Sequence, residues 1–229
     1  MEFTFQDYRI HYVDEGQGDP VLLLNGVYMT TRSWDGVVDA FTQQYRLIRM
    51  DFIDQGLSQW VDKAYDIDLQ AEIVLALLDH LGIEKVSLVA TSYGSVVAQQ
   101  VASSRPELVS KMVISNAAAH FPISFHQSIL SLSTVFDSMA WLQPRMFGAL
   151  TRITRSIDGV DVRPELSKIT CPTLVVSSEF DNLTPKYLQL EILSLIPDSQ
   201  YAVIMGAGHV VVYEKPHEFT RVALGFLAH

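Results

Sequence analysis

The stretch VSLVATSYGS, residues 86–95, places a serine between an apolar run and a segment of helical period. The run 86–90 predicts a buried strand, and residues 93–104 predict a helix. At such a junction a sharp turn can lift the hydroxyl of Ser92 above the sheet. Because this turn brings backbone segments close together, the residues two before and two after the serine must be small. Ala90 and Gly94 meet this condition, so Ser92 is a candidate nucleophile, with a helix N-cap as its alternative role.

The serine motif alone is weak support for catalysis. A small residue, any residue, Ser, any residue and Gly occur in this order by chance in roughly one chain in six of this length. A serine hydroxyl is also a poor nucleophile until a histidine takes its proton, and that histidine needs a carboxylate to fix its tautomer. The rest of the chain must therefore supply both groups, each just after a strand.

Two later loops supply these groups. Asp181 follows the apolar run 173–178 in EFDNLTP, where Glu179 is a competing carboxylate. His209 follows the run 201–205 in the glycine-rich stretch GAGHVVVYEKP. Ser92, Asp181 and His209 are thus the predicted catalytic residues. No pair of histidines shows metal-ligand spacing with a carboxylate nearby, so we predict neither a metal nor another cofactor.

Short apolar runs alternate with longer segments of helical period, which is typical of parallel βαβ units. Buried strands are predicted at 20–25, 46–51, 86–90, 111–115, 173–178 and 201–205. Helices are predicted near 33–43, 67–81, 93–104, 185–196 and 216–228. Alternating residues at 2–6 and 8–14 predict antiparallel strands at the start of the chain. The expected fold class is α/β, a mostly parallel twisted sheet flanked by helices.

One segment, residues 120–160, interrupts the alternation. Its apolar spacing predicts two amphipathic helices, the second beginning at Pro144. We expect a single domain over residues 1–229, with this segment as a short helical cap over the carboxyl ends of the strands, where open α/β sheets bind ligands.

Composition narrows the classes of function. The chain has 229 residues, 48% of them hydrophobic, and a net charge of −10, which disfavours general attraction to nucleic acid or anionic lipid. No apolar run approaches the ~18 residues needed to span a bilayer, and the first residues lack the pattern of a signal peptide. We therefore predict a cytoplasmic protein. The single cysteine, Cys171, precedes a proline at the start of an apolar strand and is read as a core residue.

With these elements in place, nearly the whole chain resembles the α/β-hydrolase superfamily, which uses the order Ser, Asp, His at the ends of strands. The resemblance implies a serine hydrolase and an oxyanion hole made by the backbone N–H groups of Val27 and Tyr93. The chain differs from the usual pattern at three positions. It has Asn25 where many members have His, Ala90 where many have Gly, and Asp54 in place of the first glycine of a loop that reads DFIDQGLSQ.

The stretch NGVYMTTRSW, residues 25–34, resembles more locally the acyltransferases that make the hydroxyalkanoyloxyalkanoate precursors of rhamnolipids. That resemblance implies transfer of a hydroxyacyl group from a thioester carrier. Three arginines of the cap segment, Arg145, Arg152 and Arg155, could attract a phosphopantetheine acyl carrier or coenzyme A. A solvated helix face is the alternative for these arginines.

Candidate substrate contacts lie in the oxyanion loop and at the start of the cap segment. They are Tyr28, His120 and Phe121, with His126 as a further histidine that could line the pocket. Packing within the core is the alternative for the aromatic residues.

The sequence thus predicts hydrolysis of a carboxylic ester or thioester with an apolar acyl group, through an acyl-enzyme. Acyl transfer and a non-catalytic ligand receptor on the same fold are the alternatives.

Overall fold

The computed structural model describes the backbone of residues 1–229 and all side chains except those of 123–126, 128 and 129. The predicted contribution of His126 to the pocket therefore lies outside the described residues. Eight strands form one sheet. They are β1 (Glu2–Phe5), β2 (Tyr8–Gly16), β3 (Pro20–Leu24), β4 (Arg46–Met50), β5 (Val86–Thr91), β6 (Val109–Ser115), β7 (Thr173–Ser178) and β8 (Ser199–Ile204).

Helices separate most of these strands. They are α1 (Asp35–Thr42), α2 (Ile67–His80), α3 (Tyr93–Ser104), α4 (Ile123–Met139), α5 (Pro144–Ser156), α6 (Lys186–Leu195), α7 (Val211–Glu214) and α8 (Pro216–Leu227). Helices α4 and α5 lie between β6 and β7, in the segment where two amphipathic helices were predicted. The short α7 was not predicted, because one turn of helix is too short to show a period.

The strands are ordered β1-β2-β4-β3-β5-β6-β7-β8. Strands β1 and β2 pair antiparallel, as do β2 and β4, and all other neighbours pair parallel. The mostly parallel α/β sheet predicted from the sequence is confirmed. The chain leaves β3 toward β4 and leaves β5 toward β6, in opposite directions across the sheet. The loops after β3 and β5 therefore diverge and open a crevice at the carboxyl end of the sheet.

Both faces of the sheet are buried, and alternate residues of each strand serve the two faces. In β3, Leu22 and Leu24 belong to the larger apolar cluster, which also takes in residues of α2, α3 and α6. Val21 and Leu23 belong to the second cluster, with residues of α1 and α8. Burial on both faces explains why the central strands read as continuous apolar runs. This packing holds the ends of β3, β5, β6 and β7 fixed beneath the site.

Candidate active site

Ser92 occupies a strained turn between β5 and α3. Its backbone has φ 51° and ψ −118°, a region that residues other than glycine rarely adopt. Its N–H donates to the carbonyl of Ser115 at 2.9 Å, which fixes the turn against the neighbouring strand. Such a conformation costs of order 1–3 kcal/mol and persists only where the surrounding structure enforces it. The turn therefore holds the serine at the edge of the sheet.

The residue two positions after the serine has no room for a side chain. A Cβ atom on Gly94 would lie 2.4 Å from the carbonyl oxygen of Leu24 and 2.7 Å from that of Asn25. The glycine thus lets α3 begin directly against the end of β3. This close approach is the physical basis of the small-residue requirement read from the sequence.

The structure brings Ser92, His209 and Asp181 together although they are far apart in the chain. Nε2 of His209 lies 2.9 Å from Oγ of Ser92. Nδ1 of the same ring lies 3.0 Å from each carboxylate oxygen of Asp181. Glu179, the competing carboxylate, instead accepts a hydrogen bond from the N–H of Gly206 at an exposed position.

The charge of Asp181 fixes the tautomer of the His209 imidazole. Burial acts to raise the pKa of this carboxyl, but hydrogen bonds from His209 and Thr184 outweigh it, so the pKa lies below its ordinary value. An ionised carboxylate only accepts hydrogen bonds, so Nδ1 of His209 carries the proton. Nε2 is then free to accept the hydroxyl proton of Ser92. This arrangement can carry out general-base chemistry.

Two residues that the sequence reading missed hold these groups in place. Oγ1 of Thr184 lies 2.6 Å from Oδ2 of Asp181, and the Thr184 N–H donates to Oδ1 at 2.9 Å. Nδ2 of Asn116 donates to the carbonyl of His209 at 2.6 Å. The sequence offered one signal for each of these residues. Thr184 is a hydroxyl residue three positions after Asp181, and Asn116 directly follows β6.

The loop after β3 is held by Asn25. Its Nδ2 donates to the carbonyl of Met50 at 2.9 Å, and its Oδ1 accepts from Nε1 of Trp34 at 2.7 Å. Asparagine thus fixes this loop by hydrogen bonds in a position where many α/β hydrolases carry histidine. Tyr28 in the same loop has φ 64°, which adds a second strained residue beside Ser92.

Ser92 and His209 open into a cavity of about 280 Å³. Val27, Tyr28, Tyr93 and Phe121, all predicted site residues, lie on its wall. Apolar side chains make up most of the remaining wall: Met29, Val96, Ala118, Leu132, Ile157, Leu183, Val210 and Val212. No Asp, Glu, Lys or Arg occurs among the described residues that line it.

His120 does not lie where the sequence reading placed it. It is absent from the described cavity wall, and its Nδ1 lies 2.8 Å from a carboxylate oxygen of Glu191 in α6. The structure therefore places His120 beside α6 at the base of the cap segment and not on the described cavity wall, where a substrate contact was predicted.

A family model for the alpha/beta hydrolase fold matches residues 19–156. This chain belongs to the α/β-hydrolase family. A crystal structure of MGS-M2, an alpha/beta hydrolase enzyme from a Medee basin deep-sea metagenome library, is 29% identical with a TM-score of 0.94. The match covers 100% of this chain and 98% of that one.

Curated relatives of this α/β hydrolase are also hydrolases. The 2-hydroxy-6-oxo-6-phenylhexa-2,4-dienoate hydrolase of Comamonas testosteroni is 26% identical over 99% of this chain and 93% of its own length. The 2-hydroxy-6-oxo-6-(2'-aminophenyl)hexa-2,4-dienoic acid hydrolase of Metapseudomonas resinovorans is 25% identical over 95% and 87%. These matches support hydrolase activity for this chain.

The described residues of this hydrolase include neither a membrane-spanning helix nor a cluster of metal-binding side chains. No described helix is long and apolar enough to cross a membrane. Within the same part of the chain, no group of three or more His, Cys, Asp or Glu side chains is arranged to hold a metal ion.

The arginines of the cap segment of this hydrolase mostly face carboxylates. Arg152 pairs with Asp54 at 2.7 Å, and Arg155 pairs with Asp137 at 2.6 Å. The guanidinium of Arg145 lies 5.1 Å from the centre of the Trp60 ring. Pairing of Arg152 and Arg155 cancels most of the local positive charge that the sequence suggested.

Replacing Gly94 with alanine tests the close approach of α3 and β3. The added Cβ must displace backbone carbonyls, so we expect a loss of stability of about 1–3 kcal/mol or more, with loss of activity. A Cβ atom on Gly225 in α8 would meet no neighbouring atom within 4 Å, so G225A is a matched control expected to stabilise by about 0.5–1 kcal/mol. Thermal unfolding of both variants checks this, and equal effects would contradict it.

Replacing Thr184 with valine tests the hydrogen bond to Asp181. Loss of this bond raises the pKa of the carboxyl toward its ordinary value. A lowered pKa stabilises the fold above the unfolded-state value of about 3.9, and this stabilisation disappears as the pH falls through the folded-state value. We expect T184V to lose about 1–2 kcal/mol at pH 7 and the deficit to shrink below about pH 4.

Urea unfolding at pH 7 and at acid pH measures the deficit of T184V. The matched control is T220V, because Oγ1 of Thr220 donates to the carbonyl of Pro216, which does not titrate. The control deficit should not depend on pH. A deficit in T184V that is equally independent of pH would refute the proposed bond to a charged carboxylate.

Proposed function

We propose that this α/β hydrolase is a serine hydrolase that cleaves a carboxylic ester or thioester with an apolar acyl group. The observation that carries the proposal is the 2.9 Å contact between Oγ of Ser92 and Nε2 of His209 at the wall of an apolar cavity. Proton transfer needs this distance, and the cavity offers space for an acyl chain beside the hydroxyl.

The first half of the proposed cycle acylates the serine. As Oγ of Ser92 attacks the carbonyl carbon, its proton passes to Nε2 of His209. Asp181 stabilises the imidazolium that forms. The tetrahedral intermediate then collapses, the bond to the leaving oxygen or sulfur breaks, and the imidazolium returns its proton to that leaving group. The products of this half are an acyl-Ser92 and a free alcohol or thiol.

The second half releases the acyl group. His209 takes a proton from a water molecule, and the water oxygen attacks the carbonyl carbon of the acyl group on Ser92. The imidazolium then returns its proton to Oγ, and the carboxylic acid leaves. The cycle needs no cofactor. Asp181, held by Thr184, keeps the imidazole in one orientation through both halves.

We assign the oxyanion hole to the backbone N–H groups of Val27 and Tyr93. Support comes from their position, because both residues lie on the cavity wall with Ser92. Tyr93 also begins α3, whose N-terminal amides carry partial positive charge. Each amide aimed at the developing oxyanion would lower the barrier by roughly 3 kcal/mol.

The cavity favours a neutral acyl group of limited length. Its volume of about 280 Å³ lies just below the usual range of about 300–1,000 Å³ for ligand sites. A buried carboxylate without a positive partner costs several kcal/mol, and no described Lys or Arg lines this wall. Substrates with a carboxylate, such as the dienoates named for the two relatives, therefore suit it less well than neutral esters.

We take residues 120–160 as a helical cap on a single domain. Leu132 of α4, Thr154 of α5 and Ile157 just after α5 line the same cavity as Ser92, which supports a role of this segment in shaping the acyl site.

Acyl transfer to a hydroxyacyl acceptor is the alternative outcome of the same acyl-enzyme. It needs a cationic surface for a phosphopantetheine carrier or coenzyme A, and the pairing of Arg152 and Arg155 reduces that surface. We therefore assign water as the acceptor. Incubation with hydroxyacyl thioesters decides between them: free acid alone supports hydrolysis, and condensed hydroxyacyl products would show transfer.

A series of p-nitrophenyl esters tests the acyl site. We expect kcat/KM to rise with chain length while methylenes fill the cavity, because each can contribute about tenfold or more, and then to fall. An ester whose acyl chain ends in a carboxylate should react at least about tenfold more slowly than its neutral analogue, since the charge lacks a partner. A flat length profile, or a preference for the charged ester, would contradict the apolar site.

Removal of the nucleophile tests the catalytic assignment. S92A should lose at least about 10³-fold in kcat while keeping its fold, because the covalent step is no longer possible. A fluorophosphonate probe should label wild-type Ser92. An intact but unlabelled Ser92 in a protein that still binds apolar esters would instead favour the ligand-receptor alternative.

A further inference from the structure

Asp54 lies in the loop after β4 and has φ 65°, the conformation for which glycine is usually required. Its side chain is fully buried. Aspartate tolerates this backbone better than most residues, yet it remains a less favourable choice than glycine. An acidic residue at a position that favours glycine therefore indicates that its side chain makes a compensating contact in the folded protein.

The carboxylate of Asp54 binds a helix of the cap. Nε of Arg152 in α5 donates to Oδ2 at 2.7 Å, and its Nη2 donates to Oδ1 at 2.9 Å. The N–H of Val61 donates to Oδ1 at 2.9 Å as well. A bidentate pair with a further backbone donor defines distance and direction together. It therefore fixes α5 relative to the loop after β4.

One helical turn after Arg152, Ser156 of α5 makes a second polar contact, with the residue that follows Ser92. The hydroxyl of Ser156 donates to the carbonyl of Ile153 at 2.8 Å. Its oxygen is then free to accept from the hydroxyl of Tyr93, which lies 3.0 Å away. The Tyr93 ring is buried and packs edge-on against Phe52 at 5.4 Å. Through Tyr93, α5 touches the residue directly after Ser92.

The two contacts lie on one side of the helix, and the cavity lies on another. Arg152 and Ser156 are four residues apart and so share a face. Thr154, and Ile157 just after the helix, line the cavity instead. Any shift of the face that carries Arg152 and Ser156 also moves Thr154 and Ile157. The polar contacts of Arg152 and Ser156 therefore set the position of one cavity wall.

We propose that Asp54, Arg152, Tyr93 and Ser156 form a polar clamp that holds α5 as a fixed wall of the acyl site and thereby sets chain-length selectivity. This inference rests on the proposed ester hydrolysis. Arg152 and Ser156 are positioning residues, since they act through the placement of Thr154 and Ile157. The clamp differs from the Arg155–Asp137 pair, which joins α5 only to α4 and is about half exposed at both side chains.

The test compares R152M with R155M, two changes of the same kind on the same helix. The measured quantity is the ratio of kcat/KM for p-nitrophenyl octanoate to that for p-nitrophenyl butanoate. Release of the wall should raise this ratio at least about fivefold in R152M, because single methylenes in an apolar pocket change kcat/KM by about tenfold or more. R155M should keep the wild-type ratio.

A purely structural role for Arg152 would lower turnover of both esters by the same factor and leave the ratio unchanged. That result, or an equal shift in R155M, overturns the proposal. If R152M does not fold, S156A decides: it removes one hydroxyl and should shift the ratio in the same direction by at least about twofold, while an unchanged ratio overturns the clamp. Wild-type inactivity toward every ester would instead refute the proposed function, and the inference with it.

Discussion

The left-handed backbone at Ser92 is the constraint on which the rest of the site depends. It is sustained by hydrogen bonding to Ser115 on one side and by the contact of Gly94 with the end of β3 on the other. These contacts come from the two strands that flank β5 in the sheet. The sheet register thus holds the serine hydroxyl, and a hydrophobic core buried on both faces stabilises a strained turn at its edge.

The remaining groups reach Ser92 because parallel strands end at the same edge. Asp181 follows β7, His209 follows β8, and Asn116 follows β6. Cross-links among these loops convert proximity into a defined geometry. Thr184 binds Asp181, and Asn116 binds the backbone of the His209 loop. Each loop is therefore positioned by a neighbour as well as by its own strand.

Much of this arrangement could be predicted from sequence. Continuous apolar runs indicated the central strands, because burial on both faces leaves no polar alternation, and the fold class followed from their spacing. Strand β8 begins at Ser199, two residues before the predicted run, because Ser199 and Gln200 pair with β7 without being apolar. Composition cannot show such pairing.

The predicted catalytic residues Ser92, Asp181 and His209 follow from their positions after strands, and the structure brings these three side chains together. The supporting residues escaped because their role depends on contacts between distant loops. Thr184 and Asn116 look like ordinary turn residues until their partners are known. The surroundings of His120 escaped for the same reason, because its ring lies against Glu191, a residue 71 positions away. The sequence showed Asp54 only as a replacement for a glycine, because its partner Arg152 lies 98 positions further along the chain.

Direct detection of the covalent intermediate would establish whether Ser92 is acylated by way of His209. Wild-type protein is mixed with a p-nitrophenyl ester, quenched in acid within milliseconds, and measured by intact and peptide mass spectrometry. We expect a mass gain equal to one acyl group, located on the peptide that contains Ser92 and absent from S92A. Steady ester turnover with no acyl group on Ser92 at any time, or with the group on another residue, would contradict it.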